Sequence, residues 1–161
     1  MRTLALSAGI ALTAATLALT STATAESHVD PAIAGAIKAR QAHMQLYAHN
    51  IGVLGGMAQG RIDYDADLAS AAASNLAALS QLNQMTYWPA GSDNASVDGT
   101  KALPAIWDDL PGVMARGAAL VEASAAMEAA AGGGLESLQG AMQALGGACG
   151  ACHQNYRQSD N

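Results

Sequence analysis

The spacing of its apolar residues constrains the fold of this 161-residue chain more than any other feature. In the first segment, steps of three and four residues connect Ile33, Ile37, Arg40, Met44, Tyr47, Ile51, Leu54 and Ala58. This spacing predicts one face of an α-helix, interrupted by a single charge. Asp30 and Pro31 predict where the helix begins, because Asp is a favoured N-cap and Pro is tolerated in the first turn.

Three further segments have the same spacing. The second helix is expected to begin after Asp65 and to fade near 87–89, and the third should begin near Pro104. Gly132, Gly133 and Gly134 separate the third helix from the last one. The apolar positions are Leu68, Ala72, Leu76, Leu79 and Leu82; then Ile106, Leu110, Val113, Gly117, Leu120 and Met127; then Leu135, Leu138, Met142, Leu145, Cys149, Cys152 and Tyr156.

No segment alternates apolar and polar residues as a half-buried strand would. The chain is therefore expected to be all-α, with four helices and three connections arranged as an antiparallel four-helix bundle. The longest connection contains a polar stretch, 91–99, that is rich in turn-forming residues.

The N-terminus resembles a secretory signal peptide. Arg2 precedes an apolar stretch at 4–19, and Ala23-Thr24-Ala25 forms an A-x-A cleavage pattern before Glu26. The apolar stretch is shorter than the roughly 20 residues of a membrane-spanning helix, although an uncleaved anchor is the alternative. We expect residues 1–25 to be removed and residues 26–161 to form one soluble, exported domain without membrane insertion.

The charge of the expected mature chain excludes some partners. Without Arg2, six Lys and Arg residues face thirteen Asp and Glu residues, so the net charge is −7 with His neutral. No cluster of Lys and Arg is present, which argues against nucleic acid or an anionic membrane surface as a partner.

The last helix is rich in residues that leave space. The chain has no Phe, and Gly140, Gly146, Gly147 and Gly150 lie inside this helix, where each costs about 1 kcal/mol relative to Ala. Small residues facing a core leave room, so we expect a large apolar group to occupy it.

The two cysteines of the chain stand three residues apart, followed by a histidine: Cys149, Cys152 and His153. A dithiol redox pair is one interpretation, but that motif normally opens a helix after a strand. A structural zinc site is another, but it needs a fourth ligand. The candidates for that ligand are His28, His43 and His49.

Covalent haem attachment accounts for every element of the motif. Each thiol adds to one vinyl group of the haem, and the histidine behind the second cysteine becomes the proximal iron ligand. The C-x-x-C-H pattern is typical of c-type haem attachment, and an exported chain is where such attachment occurs.

The whole expected mature chain resembles the class II cytochromes c, the cytochrome c' family. The motifs that carry the resemblance are Arg40-Gln41, 60–66 (GRIDYDA), 88–91 (WPAG), 106–108 (IWD) and 149–157 (CGACHQNYR). Asp63 departs from the family, most of whose members have Pro there. The resemblance implies a four-helix bundle with the haem on its last helix, and a homodimer formed through the first two helices.

Two residues of the first helix are candidates for contact with the haem. Arg40 is a charge on an apolar face, and its guanidinium either reaches the solvent rim or binds a haem propionate; the resemblance implies the second role. Met44 lies one turn later and is either core packing or the distal group. Family members with Met at this position occur both with the thioether bound to iron and without it, and we favour binding.

Other residues are weaker candidates. His43 and His49 do not fall on the apolar face and are expected at the surface or flank. Arg157 follows His153 by four residues, so it either interacts with the helix dipole or lies near the proximal imidazole. Trp88 either anchors a loop or lines the haem edge.

The leading hypothesis is a periplasmic electron carrier with one covalently attached haem c, ligated by His153 and Met44 and exchanging electrons with redox proteins that carry a basic patch. The alternative is a five-coordinate cytochrome c' that binds or scavenges NO or CO. A helical zinc or dithiol protein is a third hypothesis. Enzymatic activity is not expected, because the distal residues of the apolar face include no acid–base pair.

Overall fold

The computed structural model describes residues 29–160, so the expected signal peptide lies outside the described residues. Five α-helices are present in the described part of the chain, none of which is both long and apolar enough to cross a membrane. They are α1 (Pro31–Ala58), α2 (Ala66–Ser80), α3 (Ala105–Asp108), α4 (Leu110–Ala131) and α5 (Leu135–Tyr156). A short 3-10 helix, Met85–Tyr87, follows α2.

The predicted starts of the first two helices are confirmed. The Asp30 carboxylate accepts a hydrogen bond from the Ala32 backbone N–H (2.7 Å), and Pro31 occupies the first turn of α1. The Asp65 carboxylate caps α2 in the same way, accepting from the Leu68 N–H (2.9 Å). Both caps satisfy N–H groups that have no partner within the helix.

The prediction of one continuous third helix is wrong, because the chain breaks between α3 and α4. Asp109 has φ −131° and ψ 59°, outside the helical region, and its carboxylate accepts from the Gly112 N–H (3.0 Å) to cap α4. Pro111 explains the break, since proline inside a helix removes a hydrogen bond and clashes with the preceding turn. In the first turn of a new helix, it does neither.

The four long helices form an antiparallel bundle in the cyclic order α1, α2, α4, α5, which confirms the all-α, four-helix prediction. The Tyr64 hydroxyl, before α2, donates to the carbonyl of Ala131 at the end of α4 (2.7 Å). Gln139, near the start of α5, donates to the carbonyl of Ala58 at the end of α1 (2.8 Å). α2 ends at Ser80, earlier than expected.

The apolar core is divided into two clusters. The bundle cluster is the larger one and lies among the four long helices; its buried members are Tyr47, Leu54, Met57, Ala69, Ala72, Ala73, Leu76, Ala123, Met127, Ala131, Leu138 and Leu145. The cap cluster closes one end of the bundle; its members are Ala102, Ile106 and Tyr156, with Trp88, Ala105, Trp107, Val113 and Cys152 packed against them. The functional motif lies where these two clusters meet.

Candidate functional site

The cysteine–histidine motif lies in the last two turns of α5. Cys149, Cys152 and His153 lie on one side of the helix, because residues three and four apart are neighbours on a helical surface. Neither cysteine forms a disulfide; both are half-buried, and His153 is exposed. Burial raises the pKa of both thiols, so they remain uncharged at neutral pH.

Contacts between α1 and α5 define how the two helices are aligned. Gln139 of α5 bonds to the carbonyl of Ala58 in α1. A Cβ placed on Gly55 would lie 3.7 Å from the methyl carbon of Met142. The two contacts are three residues apart on both helices, as expected for antiparallel neighbours that rise equally per residue.

The same alignment brings Met44 to the height of His153. Met44 lies eleven residues before Gly55 on α1, and His153 lies eleven residues after Met142 on α5. Eleven residues are close to three helical turns, so each residue lies on nearly the same face as the contact residue of its own helix. Met44 and His153 therefore occupy opposing faces of the α1–α5 seam at one level of the bundle.

The seam is open at this level. Gly146 and Gly150 precede His153 by seven and three residues, and a Cβ on either one would meet no atom within 4 Å. Met44 is 38% exposed. Two uncharged thiols on the same side of the helix as an exposed imidazole fit a planar group attached through two sulfur atoms.

The prediction that the glycines of the last helix face the core is wrong, although there is open space beside each of them. A Cβ on Gly140 or Gly147 would likewise meet nothing within 4 Å. Three of the four glycines lie at the surface, however, and only Gly150 is half-buried. Their room is therefore on the open side of α5 and not in the packed core.

The motif also connects the two apolar clusters. Ala148 packs against the bundle cluster, whereas Cys152 packs against the cap cluster. The phenol of Tyr47 is close enough to Cys149 for a charge on the thiol to raise its pKa. A group attached at both cysteines would therefore contact both clusters.

Arg40 is buried, with 4% of its surface exposed. One terminal nitrogen donates to the Tyr87 carbonyl (3.2 Å) and the Ser92 hydroxyl (2.7 Å). The other donates to the Ser92 carbonyl and the Thr100 hydroxyl (2.7 Å). Burial lowers the pKa of Arg40, and the nearby carboxylate of Asp93 opposes that shift. These four bonds leave only the Nε–H of its guanidinium for a further acceptor.

Trp88 is half-buried and belongs to the cap cluster together with Cys152. The guanidinium carbon of Arg40 lies 4.8 Å from the centroid of the indole, a cation–π contact. The indole N–H of Trp107 donates to the Trp88 carbonyl (3.2 Å). Trp88 thus has a position consistent with either a loop anchor or a wall of the site.

Arg157 is the residue at which α5 ends. Its guanidinium is half-exposed and pairs with the Asp160 carboxylate (2.7 Å). The neighbouring protein partly desolvates the exposed imidazole of His153 and lowers its pKa, and the positive charge of Arg157 lowers it further. The neutral imidazole favoured by both effects is the form that binds a metal.

The expectation that His43 lies at the surface or flank is wrong. His43 is 4% exposed, and its ring is tilted against that of Tyr47 (4.8 Å between centroids) and edge-on to Tyr87 (5.8 Å). The buried face of α1 includes His43 and Asn50, because aromatic neighbours and a bond from Asn75 accommodate them. His49 is exposed.

The family model described as cytochrome C' matches residues 35–157 of the chain. The chain belongs to the cytochrome c' family. Cytochrome c-554 of Cereibacter sphaeroides is 47% identical over 124 residues, which are 77% of this chain and 81% of that protein. Cytochrome c' of the same organism is 40% identical over 121 residues, 75% and 81% of the two chains. The solved cytochrome c' from "Rhodobacter Spheriodes" is 37% identical with a TM-score of 0.78, covering 82% of this chain and 100% of that one.

Membership of the cytochrome c' family defines the cofactor. The protein is a c-type haem protein whose haem c, with its iron, is covalently attached, and it belongs among haem proteins that carry electrons or bind small ligands. The chain has two cysteines, which are the number of thiols that attachment through both vinyl groups requires.

Proposed function

We propose that this cytochrome c' family member is a periplasmic electron carrier. The observation that supports this proposal is the alignment of α1 with α5, from which Met44 and His153 are expected at the same height on the two helices. In this proposal Cys149 and Cys152 hold the haem, His153 is the proximal ligand and Met44 the distal one.

Each of these residues has a distinct task. The haem iron accepts and releases one electron, and a thioether ligand favours its reduced state and so raises the reduction potential. Partial desolvation and the charge of Arg157 lower the pKa of His153 and favour the neutral form, which is the form that binds a metal. Arg40 retains one N–H, at Nε, that is available to a haem propionate.

The net charge of the expected mature chain suggests what kind of redox partner it has. With −7 on the expected mature chain, a redox protein with a basic docking patch would be attracted at long range. We also propose that the protein is exported to the periplasm and that two copies pair through α1 and α2. No substrate other than the partner's electron is assigned, since we propose a carrier and not an enzyme.

The alternative function is the binding of NO or CO at a five-coordinate iron. The observation that favours it is the exposure of Met44, which is 38% accessible and therefore not enclosed by its neighbours. A flexible thioether can turn aside from the iron and leave the distal position to a gas.

The absorption spectrum of the purified ferrous protein, with and without CO, tests the proposal. Sharp, split low-spin bands that do not change with CO are expected from ligation by Met44. M44L should then give a broad high-spin spectrum that shifts with CO, whereas H49A, at an exposed position, should resemble the unaltered protein. A high-spin spectrum in the unaltered protein would favour gas binding. An M44L spectrum that stays low-spin would indicate a distal ligand other than Met44, for which His43 is the candidate.

A further inference from the structure

The connection between α2 and α3 contains a segment, residues 87–103, that we call the strap. On one side it is bound to α1: Arg40 donates four hydrogen bonds to acceptors in the strap, and Gln41 donates to the Gly99 carbonyl (2.8 Å). Ser92 is fully buried and Thr100 is 6% exposed. The strap is therefore fixed to α1 at two consecutive residues.

On its other side the strap is bound to the end of α5. The Leu103 N–H donates to the Tyr156 carbonyl (3.0 Å), and the Gln158 N–H donates to the Lys101 carbonyl (2.8 Å). Asn94 adds a side-chain bond to Gln158 (3.0 Å). The backbone bonds form a short antiparallel bridge between the strap and the residues that end α5.

Each of the two attachments lies one helical turn from one of the two candidate ligands. Arg40 lies one helical turn before Met44, and Arg157, in the bridge, lies one turn after His153. Between the attachments and the Gly55–Met142 contact, the α1–α5 seam is open at the level of Met44 and His153. The separation of α1 and α5 at this level therefore depends on the contacts at its two ends, together with the approach of Tyr47 to Cys149.

We propose that the strap, fastened by Arg40, holds α1 and α5 at the separation at which the Met44 thioether reaches the iron. This inference rests on the proposed function, because it explains how ligation by Met44 is maintained. Arg40 is thus a positioning residue that acts through the strap. An arginine suits this task, since its fixed donors meet two hydroxyls and two carbonyls at once.

Variants on both sides of the contact test the proposal. R40Q removes the donors from α1, while the double variant S92A/T100V removes the two hydroxyl acceptors from the strap and leaves Arg40 able to meet a propionate. R61Q is the charge control, since Arg61 is exposed in the turn between α1 and α2, at the other end of the bundle. All are examined as haem-loaded proteins, with helix content checked by circular dichroism.

The measurement is the ferrous spectrum and its response to CO. Loss of hydrogen bonds to a charged group should raise the ratio of five- to six-coordinate iron by roughly tenfold to a hundredfold. We expect a high-spin, CO-binding fraction in R40Q and in S92A/T100V but not in R61Q. Should R40Q fail to fold, S92A/T100V decides alone.

Two results would overturn the inference, and they differ from each other. If the unaltered protein and both strap variants are equally low-spin and inert to CO, the strap plays no part in ligation while the proposed electron carrier stands. If the unaltered protein is already five-coordinate, ligation by Met44 and the proposed function fail together with the inference.

Discussion

Replacing Tyr47 with Phe is expected to stabilise the haem-loaded protein. The phenol is 6% exposed, and its hydroxyl has no hydrogen-bond partner in the described part of the chain. A buried hydroxyl without a partner costs about 1–3 kcal/mol, so its removal should raise the free energy of unfolding by about 1 kcal/mol at neutral pH. The ring remains and keeps its contact with His43.

The advantage of Y47F should increase in alkaline solution. Burial, and then the nearby Cys149, raise the pKa of Tyr47 from 10.0 to about 12 while the thiol is free. In the haem-loaded protein Cys149 is an uncharged thioether, so burial alone raises the pKa. Because the folded-state pKa is the higher one, ionisation of the phenol costs the folded protein no stability below pH 10. As the pH rises from 10 toward 12, ionisation increasingly favours the unfolded chain. The full difference between 10.0 and about 12 corresponds to roughly 3 kcal/mol, so the loss in the haem-loaded protein should be no larger than this, and Y47F should not show it.

Urea unfolding of the haem-loaded protein, followed by circular dichroism at pH 7 and at several values above pH 10, measures both effects. Y64F is the matched control, since the Tyr64 hydroxyl donates to Ala131 (2.7 Å) and accepts from the Gly134 N–H (3.0 Å) at the other end of the bundle. Y64F should lower stability by about 1–2 kcal/mol. If Y47F is destabilising to the same extent, the Tyr47 hydroxyl has a partner in the loaded protein and the reasoning fails.

Two further predictions concern the helices and the cofactor. G112A should lose about 1–3 kcal/mol of stability, because the added methyl overlaps the Asp109 carboxylate. In the control G117A the added methyl meets nothing within 4 Å, so that variant should gain up to about 1 kcal/mol. Equal melting temperatures of the two variants would contradict this reasoning. C149A/C152A, which cannot attach haem, should be poorly folded because the haem that would contact both the bundle cluster and the cap cluster is then missing. A cooperative, native-like melt of that variant by circular dichroism would show that the clusters suffice.

Much of the fold could be predicted from local sequence because its signals are local. Asp30-Pro31 and Asp65 are caps that act within one turn of their helices, and Gly132 to Gly134 interrupt the helical pattern directly. The motif at Cys149 is also local, so the attachment chemistry follows from the order of its residues alone. The break at Asp109 does not follow from apolar spacing, and Pro111 is the local signal that indicates it.

The rest depends on partners distant in sequence. The face of α1 that is buried includes His43 and Asn50, whose neighbours lie on other elements, and a search for apolar periodicity passes over them. The stretch 91–99 has the composition of a solvated loop, yet Ser92 within it is fully buried because Arg40, 52 residues away, needs acceptors. No local pattern connects residues so far apart.

The division of the core into two clusters has a consequence for how the protein assembles. Every buried member of the bundle cluster comes from between Tyr47 and Leu145, so that cluster includes no buried residue of the segment that carries the motif. The cap cluster needs Cys152 and Tyr156, and the strap binds still later residues such as Gln158. The end of the molecule that receives the haem therefore closes only when the segment that carries both thiols is in place, so completion of the fold and attachment of the haem involve the same residues.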